Sequence, residues 1–224
     1  MEEQVRNHKL WNFGCSISYG SGCNVGEEYY ERNPELKRYK FFELLSEKLN
    51  LSPENHGVPG ASNEIIIHNI INHIPQMLEG DFVFIGKTEP SRTFLFNDEY
   101  NWTNGMKPYR RFIPAIVGMW DLMSNRGYSS KFMGDLVEYI YESRVKRIEH
   151  WSNYYDSFYN GVVKLIEERG CSVIVWDAIT FCKNSVTITQ ETKGEIIDNH
   201  LSWYGHNQLY NYLLNEIELK YGIG

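Results

Sequence analysis

Along the chain's 224 residues, short apolar bursts alternate with longer stretches in which apolar positions recur every three or four residues. That is how strands joined by helices read, and it predicts an α/β domain with a mostly parallel sheet. Strands are expected over "KLWNFGC" (9–15), weakly over "NLSPENHG" (50–57), and over "DFVFIG" (81–86) and "CSVIVWD" (171–177). The first, third and fourth are apolar nearly throughout, as strands covered on both faces are. Helices are expected over about 27–49, 62–79, 130–169 and 204–220. In the second, Ile66, Ile67, Ile70, Ile71 and Ile74 recur at helical spacing after a capped start at Ala61-Ser62-Asn63-Glu64, so it should pack on the sheet. The third is long for a globular domain; a break near Asn153 or Asn160-Gly161 fits, with Gly170 ending it. Its stripe of Tyr139, Val145, Ile148, Trp151 and Tyr155 reads as core.

The segment from about 92 to 128, with "FNDEYNWTNGMKPYRRF", has no strong periodicity and is rich in turn formers and aromatics. It is either an insertion over a site or an irregular connection. With no repeat, linker or low-complexity tract, the chain reads as a single domain spanning 1–224, long enough to bury a substantial core.

Composition narrows the function classes. Hydrophobic residues at 42% and charged residues at 23% are ordinary globular usage. Sixteen Tyr and six Trp suit either a bulky core or a sugar-stacking surface. A net charge of −7, without a basic tract, argues against a partner built on phosphates, so no nucleic acid is expected. The opening "MEEQVRNHKLW" lacks the apolar centre of a secretory signal, and no apolar run approaches the ~20 residues needed to span a bilayer. The expectation is a cytoplasmic protein that engages no membrane, of a kind that suits a small bacterial or phage-encoded product. Its oligomeric state is not readable from the sequence. Cys15, Cys23, Cys171 and Cys182 form no C-x-x-C pair, and His8, His56, His68, His73 and His150 form no H-x-x-x-H cluster, so free thiols and no metal are expected.

Candidate chemistry lies at the two ends of the chain. "LWNFGCSISYGSG" runs from a strand into a small-residue turn at Ser16, and "EIIDNHLSWYGH" sets Asp198 two residues before His200. In an extended segment, side chains at i and i+2 point the same way, so Asp198 can accept the Nδ1–H of His200 and leave Nε2 facing a serine. Parallel strands would converge these parts at their carboxyl ends. Ser18 and Cys15 rival Ser16 as nucleophile; Ser18 lies one step further from the strand, and nothing in the sequence lowers the thiol pKa of Cys15. His206 rivals His200, but it follows Gly205 at a helix start and reads as a surface or helix-start residue. Neither G-x-S-x-G nor G-x-G-x-x-G is present around the turn.

These blocks resemble those of the SGNH, or GDSL-type, hydrolases, in family order and over nearly the whole chain. The first block reads Gly14-Cys15-Ser16, with Cys15 at the family's Asp position. "NHGVPGASN" is similar to the family's Asn-x-Gly-x-x-Gly stretch, which assigns an oxyanion-binding N–H to Gly60, just before a helix whose dipole favours negative charge. After "DFVFIG" the family's Gly-x-Asn-Asp is replaced by Gly86-Lys87-Thr88-Glu89, so Thr88 falls at the Asn position, with Arg92 following as a further oxyanion- or substrate-binding group. Asp198-x-His200 is one residue shorter than the family's usual spacing.

The resemblance implies a three-layer α/β/α, flavodoxin-like sandwich and hydrolysis of a carboxylic ester, a carbohydrate O-acetyl or small acyl ester, through an acyl-serine intermediate. Ser16, Asp198 and His200 would be catalytic, with Gly60, Thr88 and Arg92 binding oxyanion or substrate. No cofactor is implied, and the expected partner is a small-molecule or glycan ester substrate. The degraded third block leaves open a catalytically impaired module that binds glycans or serves structurally, and a flavodoxin-like nucleotide binder ranks lower for want of a phosphate loop.

Overall fold

Strand β1 (Lys9–Gly14) is buried from Leu10 onward. The computed structural model describes residues 8–20, 40–96, 112–115, 135, 138–139, 141–178, 180–181, 201 and 203–222. A four-residue helix α1 (Ser16–Tyr19) follows β1, then α2 (Phe41–Leu49), β2 (Ser52–Gly57), α3 (Asn63–His73), β3 (Phe82–Lys87), β4 (Thr93–Phe96), β5 (Phe112–Ala115), α4 (Ile148–Glu167), β6 (Ser172–Asp177) and α5 (Trp203–Tyr221).

The main sheet has the order β2-β1-β3-β6, and every neighbouring pair is parallel. All four strands therefore end at one edge, where Gly14 lies beside Gly57 and Gly86 beside Trp176. The chain passes from β1 to one side of it and then to the other, which puts the topological switch point between β1 and β3.

Alternation along the strands directs side chains to two helical layers. Trp11 and Phe13 meet His73 of α3, and α4 packs beside α3 on that face. On the other face Trp176 packs edge-on against Phe41 of α2, and Phe82 against Tyr221 of α5. The result is an α/β/α arrangement in which the apolar runs of β1 and β3 are covered on both sides. At the amino edge, Asp81 is fully buried and accepts hydrogen bonds from Lys9 N, Trp11 Nε1 and Leu78 N at 2.8, 2.9 and 3.1 Å. On β6, the outer strand of the described sheet, the Tyr221 hydroxyl accepts from Val173 N at 2.7 Å and donates to Val173 O at 2.9 Å.

The expected strands and the isoleucine-rich helix are present within a residue or two of their predicted bounds, apart from an earlier end to the helix, which finishes at His73 and passes into a 3-10 turn over Ile74–Gln76. Several details differ. The helix expected over 27–49 is seen as Phe41–Leu49, since residues 21–39 lie outside the described residues. The long helix does not break at Asn153 or Gly161; it runs unbroken from Ile148 to Glu167 after a 3-10 turn at Val145–Arg147, and Gly170 follows its end at φ +78°. Its buried stripe is Tyr155, Tyr159, Val162 and Ile166, whereas Tyr139 and Ile148 are exposed. The 92–128 segment is not wholly irregular: β4 and β5 pair antiparallel, Thr93 opposite Ala115. Ser62 stands at the start of α3 but makes no side-chain capping bond. Among the described residues no helix is long and apolar enough to cross a membrane.

Candidate functional site

Ser16 stands two residues beyond the end of β1, as the first residue of α1, with Cys15 at the N-cap. It is 7% exposed, while Cys15 and Ser18 are fully buried. Of the three rival nucleophiles, Ser16 alone keeps any contact with solvent.

Short helices are weak by themselves, so α1 needs outside support. Two asparagines supply it. Asn12, the polar exception in β1 and completely buried, donates through Nδ2 to Ser18 O at 2.8 Å and to Asn55 Oδ1 at 3.0 Å. Asn55 donates to Tyr19 O at 3.3 Å and accepts from Gly57 N at 3.1 Å. Carbonyls that a helix end leaves without intrahelical partners are thus held by side chains from β1 and β2. Gly57 allows the approach: a Cβ there would lie 2.5 Å from Tyr19 N and 2.8 Å from Tyr19 Cα. In this chain Asn55 and Gly57 of the Asn-x-Gly-x-x-Gly stretch therefore hold the serine helix in place.

The stretch ends in a tight turn. Val58 O accepts from Ala61 N at 3.0 Å around Pro59 and Gly60, and Gly60 has φ +76°. Proline followed by glycine with positive φ is the sequence of a type II turn. The turn delivers the chain into α3, whose first residue, Asn63, is 2% exposed.

Asn63 reaches across to the end of β3. Its Nδ2 donates to Thr88 O at 2.9 Å and its Oδ1 accepts from Thr88 N at 3.0 Å, so one carboxamide engages both backbone groups of Thr88. The Tyr159 hydroxyl donates to the same Oδ1 at 2.9 Å. Burial pushes the Tyr159 phenol well above its ordinary pKa, which keeps it a donor at all working pH values. Next to this group, Glu64 accepts from Arg144 Nη2 at 2.8 Å and from the Tyr155 hydroxyl at 2.5 Å, tying α4 to the first turn of α3.

Thr88 itself is 4% exposed. Its Oγ1 is buried without a hydrogen-bond partner among the described residues, as are Ser18 Oγ, Ser62 Oγ and Arg92 Nε. A buried polar atom left unbonded costs about 1–3 kcal/mol, so each of the four is a group in want of a partner. Arg92 is half-buried at the end of a turn closed by Arg92 N donating to Glu89 O at 3.1 Å. Lys87 is engaged elsewhere, its Nζ donating to Asp156 Oδ1 at 2.8 Å. Among the described residues, no three His, Cys, Asp or Glu side chains group as a metal site.

Of the six predicted site residues, the structure places Ser16, Gly60, Thr88 and Arg92 on segments that follow the carboxyl ends of β1, β2 and β3. Asp198 and His200 lie outside the described residues. The rival His206 is not a surface residue: it is fully buried in the first turn of α5, stacked on Phe41 with ring centroids 5.9 Å apart, its Nδ1 3.5 Å from Phe41 N.

No family model and no curated protein matches the chain. Among solved structures it is similar to one from Desulfitobacterium hafniense DCB-2, assigned provisionally to the lipolytic G-D-S-L family, at 10% identity over 93% of this chain and 99% of that one, with a TM-score of 0.37. At that score the likeness carries no argument, and the α/β assignment stands on the sheet and helices themselves.

Sequence reasoning missed Asn12, Asn63 and Tyr159. Asn12 had a usable signal, since a polar residue inside an otherwise apolar two-face strand must find partners. Asn63 looked like part of a capped helix start, and Tyr159 carried no distinguishing spacing.

Proposed function

We propose that the chain hydrolyses a carboxylic ester through an acyl-serine intermediate. The observation that carries this reading is the position of Ser16: just past β1, at the switch point of a parallel sheet, with Gly60 and the unbonded hydroxyl of Thr88 on the connections that follow β2 and β3. In the mechanism, His200 Nε2 takes the Ser16 proton as Oγ attacks the acyl carbon, and Asp198 orients the imidazole. The N–H groups of Ser16 and Gly60, with Thr88 or Arg92 as further donors, stabilise the tetrahedral oxyanion. The protonated His200 then gives its proton to the departing alkoxide, which leaves as the alcohol. In the second half, His200 deprotonates a water that attacks the acyl-enzyme, and the acid departs as Ser16 regains its proton. The substrate would be a carbohydrate O-acetyl or other small acyl ester, and the chemistry uses no cofactor.

A fluorophosphonate probe tests this directly. Wild-type protein should be labelled at Ser16 and should hydrolyse p-nitrophenyl acetate, with both activities lost in Ser16→Ala and His200→Ala. Equal labelling and hydrolysis in wild type and Ser16→Ala would refute the reading, and absence of both in wild type would favour a binding module.

A further inference from the structure

We propose that Asn63 is a positioning residue for the proposed oxyanion site, setting the turn after β3 so that the Thr88 hydroxyl becomes an oxyanion donor; this rests on the hydrolase reading. A threonine side chain is shorter than an asparagine side chain, so a Thr at this position acts only if its backbone is placed accurately. The structure provides that placement. Thr88 N and Thr88 O both bond to the one carboxamide of Asn63, at 3.0 and 2.9 Å, in the manner of a strand partner. Asn63 is in turn fixed by its place at the start of α3 and by the Tyr159 hydroxyl at 2.9 Å. The three groups come from α3, the end of β3 and α4, and Asn63, Thr88 and Tyr159 are all nearly inaccessible to solvent.

With both backbone groups satisfied, the Thr88 hydroxyl remains the polar group of that residue without a hydrogen-bond partner among the described residues. A hydroxyl on a fixed backbone, left unbonded by the described residues, is free to serve in preorganised stabilisation of developing charge. Asn63 contributes by fixing Thr88, and Tyr159 by fixing Asn63; neither needs to touch the substrate.

The test pairs amide hydrogen exchange with kinetics on p-nitrophenyl acetate for wild type, Asn63→Ala, Tyr159→Phe, Thr88→Val and the double variant Asn63→Ala/Thr88→Val, with Ser16→Ala as the control. In Asn63→Ala, exchange at the Thr88 amide should accelerate at least about 10-fold while Val83 and Phe84 within β3 stay within about two-fold. Its kcat should fall about 10- to 100-fold with KM little changed, the scale for misplacing a catalytic group by about an ångström. Thr88→Val should cost about 100-fold in the wild-type background but under about 10-fold once Asn63 is gone, because its donor is then already misplaced. Tyr159→Phe, which keeps the carboxamide, should fall between wild type and Asn63→Ala, and it serves if Asn63→Ala does not fold. Unchanged exchange at Thr88, unchanged kcat, or fully additive losses in the double variant would each overturn the proposal. Equal rates for wild type and Ser16→Ala would instead bring down the hydrolase reading and this role with it.

Discussion

Replacing Gly57 with alanine should damage both stability and the proposed chemistry through a single contact. The added Cβ would sit 2.5 Å from Tyr19 N, about 0.9 Å short of the 3.4 Å at which ordinary contact begins, with Tyr19 Cα at 2.8 Å and Ser18 C at 3.0 Å. All three are backbone atoms, so no flexible side-chain end can swing aside. Gly57 is also not among the glycines with positive φ, which leaves steric crowding as the cause. Either α1 or the end of β2 must move by roughly an ångström. Overpacking of this kind costs about 1–3 kcal/mol, and at about 2–4 °C per kcal/mol for a chain of this size Tm should fall by about 2–12 °C. Because α1 carries Ser16, the same movement should lower the fluorophosphonate labelling rate and p-nitrophenyl acetate turnover by about 100-fold. Thermal unfolding and labelling kinetics on one preparation measure both. A Gly57→Ala protein with Tm within about 1 °C of wild type and labelling within about two-fold would refute the claim that this contact sets the serine helix.

Two other perturbations address separate parts of the molecule. Gly161 lies inside α4, exposed, with nothing within 4 Å of where a Cβ would be, so Gly161→Ala should add about 0.5–1 kcal/mol and raise Tm by about 1–4 °C without altering turnover, as calorimetry and the ester assay would show. His56 is held neutral down to a pKa of about 4, first by burial and then by His73, whose ring centroid is 4.0 Å away, against a partial counterweight from Glu54. The unfolded chain takes up a proton near pH 6.5 and the folded one only near 4, so stability should be lost as pH falls through that window, by about 1–2 kcal/mol once solvent screening is allowed for. Urea unfolding at pH 7 and pH 4.5 should show that loss in wild type and a smaller one in His56→Gln; equal losses would remove His56 as the cause.

The sheet was legible because both-face burial writes itself as unbroken apolar runs, and three of its four strands carry them. The polar strand β2 was weaker, since its side chains are half-exposed and its "SPENHG" shows no alternation. The break expected near Asn153 or Asn160-Gly161 failed for an energetic reason: two asparagines and one glycine disfavour helix by about 1 kcal/mol or less each, while Tyr155, Tyr159, Val162 and Ile166 are buried along the same helix. His206 does stand at a helix start, one of the two places expected for it, but its burial was not legible, because nothing local reveals the Phe41 ring that covers it. For the candidate site, glycines and hydroxyls near strand ends stood out, but the carboxamides that hold them did not. Asn12, Asn55 and Asn63 reach Ser18, Tyr19 and Thr88 across separations of 6, 36 and 25 residues, and such partnerships exist only after folding.

The clasp of Tyr221 on β6 bears on how the protein behaves in a crowded solution. One phenol fills both the donor and the acceptor of Val173, and Lys220 Nζ adds a second donor to the same carbonyl at 2.9 Å. A foreign polypeptide seeking to zip itself onto that margin would find this rung occupied and a cation beside it, two devices that discourage runaway strand stacking. The last turn of α5 thus leaves that rung of the described sheet's outer strand neither a donor nor an acceptor to offer a further strand.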